Sequence, residues 1–236
     1  MKRIFYAGDS TVTFNKIDSY PQAGLSQGLQ YYLREDVFVY SFAVNGRSTK
    51  SFIDEGRLAA IDREIREGDF LFIQFGHNDE KEADPARYAP ADTLYKENLE
   101  RFVRVAWAHG ALPLIISPVA RRLFDAQGRF LPGSHGAYPK AAAQAAKELA
   151  VPFIDLTAKS EAYLAAVGDA ASRPMYVYPK DNSHFQLHGA VVMAGFIAQG
   201  LCEAGGEYAK LLISTLKKDE ADVVKLTGAA FKDETV

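Results

Sequence analysis

Short, almost wholly apolar runs alternate along this chain with longer amphipathic stretches. The runs fall at residues 3–7, 37–43, 69–75, 112–117 and 151–156. Each is about five to seven residues long and rich in Val, Ile and Phe, which predicts buried strands. Between them, residues 22–33, 49–66, 92–109 and 136–150 space their apolar positions as helices do. Residues 160–167 form a further short candidate, and 185–204 read as a last helix. Strand and helix in strict alternation predict parallel strands with right-handed crossovers and helices on both faces. Five strands make this an α/β fold: a flavodoxin-like, three-layer α/β/α sandwich around a five-stranded parallel sheet. In such sheets ligands bind outside the carboxyl ends of the strands, at a topological switch point.

The length of 236 residues allows a sizeable core without staples. No internal repeat and no low-complexity linker divides the chain, so one domain over residues 1–206 is expected. Residues 207–236 are read as a charged C-terminal tail or helix, in which Leu211, Leu212 and Leu216 offer an apolar stripe. At 48% hydrophobic and 24% charged residues the composition is that of a globular protein. The formal net charge of −3 provides no basic field for a nucleic-acid partner. Cys202 is the sole cysteine, so neither an internal disulfide nor a cysteine zinc site is available. The first residues run into Asp9 without a leader-like apolar stretch, and no uninterrupted apolar window is long enough to span a bilayer. The expectation is a cytoplasmic protein with no membrane partner, monomeric by default.

Polar residues unusual for a core follow the strands. Strand one runs into Gly8-Asp9-Ser10-Thr11, strand two into Asn45-Gly46-Arg47-Ser48, and strand three into Gly76-His77-Asn78-Asp79. Asp181-Asn182-Ser183-His184 precedes the last helix. Any one of these is an ordinary turn or helix cap. Together, at one edge of a parallel sheet, they point to a site. Ser10 needs a base to become a nucleophile, and His184 is of the residue type that supplies one. Asp181, three residues earlier, can hold the imidazole by its other nitrogen. The backbone N–H groups of Ser10 and Gly46 and the side-chain amide of Asn78 can receive an oxyanion.

These segments resemble the motif blocks of the SGNH (GDSL-type) hydrolase superfamily, and the resemblance runs from Lys2 to about Leu201. Within it the chain is most similar to the rhamnogalacturonan acetylesterase-like branch. That similarity rests on Ile73-Gln74-Phe75-Gly76-His77-Asn78-Asp79, on Asp181-Asn182-Ser183-His184-Phe185, and on the stretch 118–139 with Arg121-Arg122 and His135-Gly136. The resemblance implies a serine esterase that removes O-acetyl groups from plant cell-wall polysaccharide fragments of rhamnogalacturonan, pectin or xylan type. It implies no cofactor and no metal. An acetylated oligosaccharide is the expected partner, with Arg121, Arg122, His135 and Tyr138 as candidate substrate-binding residues at a polar mouth.

Other readings stay open at this stage. Gly24-Leu25-Ser26-Gln27-Gly28 has the letters of a nucleophile elbow but is not preceded by a strand. Asp9, His77, Asp79, Asp181 and His184 would suit a metal-dependent phosphoesterase, though the residue order is wrong and histidines are few. A lysophospholipase or thioesterase on the same fold, or a non-catalytic sugar-binding module, completes the set.

Overall fold

Alternation along the strands decides the layering. The computed structural model describes residues 1–214. In chain order its strands are β1 (Lys2–Gly8), β2 (Gln22–Ala23), β3 (Val37–Ser41), β4 (Phe70–Gln74), β5 (Leu112–Ile116), β6 (Phe153–Ile154) and β7 (Phe185–Gln186). The helices are α1 (Leu25–Gly28), α2 (Thr49–Asp54), α3 (Arg57–Glu64), α4 (Lys96–Ala108), α5 (Tyr138–Glu148), α6 (Leu156–Ser172), α7 (Leu187–Ala204) and α8 (Gly206–Ala209). β1 sends Ile4 and Tyr6 to one face and Phe5 and Ala7 to the other, and all four are fully buried. A strand buried on both faces needs helices on both, because each face carries apolar area that only a second layer covers.

The layers follow. Ile4, Tyr6, Phe70, Phe72, Leu114 and Ile116 pack with α1, α6 and α7. Phe5, Leu71, Ile73 and Ile115 pack with α2, α3, α4 and α5. Five strands lie in the order β3-β1-β4-β5-β6, every neighbouring pair parallel. The expected three-layer α/β sandwich is the one observed. β1 lies between β3 and β4, so the chain leaves it in both directions and the switch point lies at its carboxyl end.

Three local departures have physical causes. The helix expected over 49–66 breaks in two at Gly56, whose φ of +73° is left-handed and ends a helix. The segment expected to be helical from residue 22 starts instead as β2, paired antiparallel with β7 through Ala23 and Phe185. Only Leu25–Gly28 is α-helical there, followed by a tighter turn at Leu29–Tyr32. The last helix accordingly begins at Leu187, two residues later than its apolar pattern suggests.

α7 is long and apolar enough to cross a membrane by length and composition alone, with a mean hydropathy of 1.3. It lies against the sheet, with Met193, Ala194, Ile197, Ala198 and Leu201 buried in one core. Beyond it, Tyr208, Leu211 and Leu212 join the same core. The Tyr208 hydroxyl donates to the Pro113 carbonyl at 2.7 Å, and Leu212 bridges Leu33. Residues 207–214 thus pack on the domain, while the remainder of the expected tail, Leu216 included, lies outside the described residues.

Candidate active site

Ser10, Gly46 and Asn78 sit in the loops that follow β1, β3 and β4, three neighbouring strands. The Ser10 turn is built by Asp9. Its carbonyl accepts from the amides of Val12 and Thr13, each at 3.1 Å. Its carboxylate accepts from Thr11 N at 2.9 Å and Thr11 Oγ1 at 2.7 Å. Asp181 and His184 arrive on a loop closed by its own backbone: Asp181 N donates to Val177 O at 3.1 Å and Val177 N to His184 O at 3.0 Å. Phe185, the next residue, is bridged to Tyr176 and paired with β2, which anchors the loop beside the sheet edge.

The histidine completes the line. His184 Nε2 stands 2.7 Å from Ser10 Oγ, and His184 Nδ1 stands 2.6 Å from Asp181 Oδ2. The second oxygen of Asp181 accepts from the amides of Ser183 at 2.6 Å and His184 at 3.0 Å. Partial burial pushes the Asp181 carboxyl up, but the imidazole and those two N–H donors outweigh it and hold the group below its ordinary value. A carboxylate there requires a proton on Nδ1. That leaves Nε2 as the acceptor for the Ser10 hydroxyl. Ser10, Asp181 and His184 are all partly exposed, so the line opens to solvent.

Gly46 has φ of +78°, a left-handed conformation that side-chain-bearing residues rarely take. Neither its amide nor that of Ser10 is used by a hydrogen bond within the protein, among the described residues. Asn78 is buried and its amide is oriented by three neighbours. Nδ2 donates to Arg47 O at 3.1 Å, while Oδ1 accepts from Lys81 Nζ at 2.9 Å and Arg87 Nη1 at 3.3 Å. Cationic donors at one end and a carbonyl at the other admit a single flip state. One N–H of Asn78 is then left over.

Beneath the turn lies a buried ionisable layer. Asp79 accepts from Thr49 N at 2.8 Å and Thr49 Oγ1 at 2.5 Å, tying the loop after β4 to the first residue of α2. Burial pushes its carboxyl up to about 7, and among the described residues its second oxygen has no partner. His77 Nδ1 is 3.4 Å from the Asp9 carboxylate, and the His77 ring stacks edge-on against His135 at 4.3 Å. Burial raises the Asp9 carboxyl, yet His77 and Thr11 together hold it below its usual value.

Three of the residues expected to face substrate do not. His135 is buried and bonds Val119 O at 2.8 Å and Glu80 at 3.1 Å. The Tyr138 hydroxyl is turned inward to the carbonyls of Asp79 and Ala89 at 2.9 and 3.0 Å. Arg122 is buried against Asp169, Ser172 and Asn182. Each is polar because it satisfies buried backbone or a buried partner, a role that reads identically in sequence. Arg121 is partly exposed and paired with Glu80. Ser26 is fully buried on α1, and among the described residues its Oγ has no hydrogen-bond partner, so it meets neither a base there nor solvent. The acids of the metal reading diverge: Asp9 serves Thr11, Asp79 serves Thr49, and Asp181 serves His184. Lys81 and Arg87 were not singled out from the sequence, where they look like ordinary solvated charges. The signal available in the sequence is the spacing of Lys81, three residues after Asn78.

Comparison with known proteins adds four findings. Residues 7–190 match the model of the GDSL-like lipase/acylhydrolase family. The chain is 40% identical over 215 residues to the rhamnogalacturonan acetylesterase RhgT of Bacillus subtilis (strain 168), covering 86% of this chain and 90% of that one. It is 28% identical over 219 residues to the rhamnogalacturonan acetylesterase of Emericella nidulans (strain FGSC A4), with 84% of each chain covered. Among solved structures, the YxiM protein of Bacillus subtilis superposes with a TM-score of 0.77 at 27% identity, over 86% of this chain and 57% of that longer one.

Proposed function

The chain belongs to the GDSL-like lipase/acylhydrolase family, in the branch of the rhamnogalacturonan acetylesterases, and we propose that it is a serine carbohydrate esterase acting on O-acetylated fragments of plant cell-wall polysaccharide, pectic ones foremost. The observation that carries this reading is the hydrogen-bonded line Ser10–His184–Asp181, in a chain 40% identical to a rhamnogalacturonan acetylesterase.

In the proposed reaction Ser10 Oγ attacks the acetyl carbonyl carbon while His184 Nε2 takes its proton. Asp181 steadies the imidazolium through Nδ1–H. The oxyanion is received by the amides of Ser10 and Gly46 and by the remaining N–H of Asn78. Collapse breaks the bond to the sugar oxygen, which leaves with the proton from His184. Water then gives a proton to His184 and attacks the acetyl carbon. Acetate departs and the proton returns to Ser10. Each step uses groups of this chain and water alone.

The test is acetate release from acetylated rhamnogalacturonan-derived and xylan-derived oligosaccharides by the wild type, Ser10→Ala and Ser26→Ala, with and without EDTA. Release by wild type and Ser26→Ala in EDTA, with none from Ser10→Ala, is the expected outcome. A wild type inactive on every acetylated sugar overturns the substrate class. Full activity in Ser10→Ala overturns the nucleophile, and loss with EDTA overturns the metal-free mechanism.

A further inference from the structure

The oxyanion side of the site is ringed by positive charge. Lys81 Nζ and Arg87 Nη1 both donate to Asn78 Oδ1. Arg87 Nη1 is also the nearest atom to the place a Cβ on Gly46 would occupy, at 3.9 Å. Arg47 contributes its carbonyl to Asn78 Nδ2, and Arg121 reaches the His77 carbonyl at 3.5 Å. The arginines are each matched by a carboxylate: Arg47 by Glu55, Arg87 by Asp84 and Arg121 by Glu80. Lys81 is different. Among the described residues no carboxylate stands within ion-pair distance of it, its side chain is exposed, and it donates to a neutral amide. Desolvation and the charges of Arg87 and Arg121 weaken its hold on its proton, a cost that a bound anion would remove.

We propose that Lys81, backed by Arg87, is a recognition site for the carboxylate of a uronic acid sugar, set at the edge of the oxyanion hole. The inference rests on the carbohydrate-esterase reading above and makes it more specific. Lys81 meets the oxygen of the Asn78 amide, whose nitrogen carries the N–H that the proposed reaction gives to the oxyanion. On this proposal the carboxylate of a ring whose ester is at Ser10 rests on this ammonium. In rhamnogalacturonan the galacturonate rings bear a carboxylate as well as acetyl esters. In xylan the backbone sugars are neutral. A carboxylate meeting Lys81 forms a charge-assisted hydrogen bond that the neutral backbone cannot make, so this lysine separates the two substrate classes.

The experiment is calorimetric binding of a deacetylated rhamnogalacturonan oligosaccharide and a xylo-oligosaccharide of equal length. The proteins are wild type, Lys81→Met and Lys81→Arg, each at low and raised salt, with a thermal melt to show that each variant is folded. The wild type is expected to bind the acidic oligomer about tenfold more tightly. Lys81→Met and added salt should close that gap, and Lys81→Arg should keep part of it. Equal binding of both oligomers by the wild type, binding of neither, or an undiminished gap in Lys81→Met overturns the proposal. Turnover of acetylated substrates by Lys81→Met gives the second readout. An equal fall in kcat on acidic and neutral esters, with the binding gap intact, would make Lys81 a positioning residue for Asn78 instead. Calorimetry needs no turnover, so a wild type that released no acetate would overturn the esterase reading while leaving this readout intact.

Discussion

A serine hydroxyl is a weak nucleophile in water, and Ser10 differs from Ser26 in what stands beside it. His184 Nε2 lies 2.7 Å from Ser10 Oγ, whereas Ser26 Oγ is buried without a partner among the described residues. Ser10→Ala and His184→Ala are each expected to lower kcat by about 10³-fold or more, with KM changed by less than about threefold, in steady-state acetate release. Asp181→Asn should cost less than either, because the amides of Ser183 and His184 still hold its loop. Asn78→Ala removes one oxyanion donor, and a fall in kcat of about 10²–10³-fold is expected. Asp79 governs stability instead. Its folded carboxyl titrates near 7, against 3.8 for an ordinary aspartate. Below about pH 3.8 both states hold the proton and nothing is lost. As pH rises toward 7 the unfolded chain ionises first, so this group progressively destabilises the fold, by on the order of 4 kcal/mol once both are ionised. Asp79→Asn mimics the neutral acid. Urea unfolding at pH 5 and pH 8 should show the variant losing less stability between those values than the wild type.

At the scale of elements, two helices meet where glycine removes the obstacle. A Cβ on Gly28 at the end of α1 would stand 2.2 Å from the Ala190 carbonyl oxygen in α7. On Gly189 it would stand 2.0 Å from the Met175 carbonyl oxygen. Backbone atoms cannot yield as a flexible side chain does, so the helices must separate or the chain must shift. Gly28→Ala is expected to reduce unfolding free energy by about 1–3 kcal/mol or more, read from denaturant midpoints. Nearby, the apolar pattern running from residue 22 becomes a strand paired with β7, one α-turn beside α7 and a tighter turn. Packing against α7 overrides the local preference. Gly56 is different: its left-handed φ ends α2 locally, a stop that the apolar pattern over 49–66 does not register.

Across the whole molecule, the site joins two distant parts of the chain: Ser10 and His184 are 174 positions apart. Arg122 ties the histidine loop to the far end of α6. Its backbone N–H donates to Asn182 O at 2.8 Å, and its guanidinium meets Asn182 Oδ1, Ser172 and Asp169, stacked between Phe124 and Tyr178. Arg122→Met keeps the stem volume and the backbone bond to Asn182 O but removes the guanidinium's bonds, leaving their acceptors unpaired. A lower melting temperature is expected, together with a fall in kcat larger than the rise in KM, because the loop that carries Asp181 and His184 loses its tether. A fall in melting temperature with unchanged kcat would mean that the loop is held by the β2–β7 pair alone.

Much was legible from residue order. Buried strands five to seven residues long read directly from their apolar runs, because a strand covered on both faces has no polar side to show. The turns after β1, β3 and β4 and the Asp181–His184 segment stood out because polar clusters at strand ends are short-range features. Their convergence followed from the parallel topology, which strand–helix alternation determined. Tertiary structure alone decided which polar residues face the reaction and which serve the interior. Arg122, His135 and Tyr138 read as a sugar-facing mouth, yet each turns to buried partners. Lys81 and Arg87 carry nothing in the sequence that sets them apart from other charged residues, yet both reach Asn78. The physical reason is that a polar side chain's role depends on the partner it finds. Such partners, unlike helical or strand periodicity, lie at separations along the chain that no local pattern encodes.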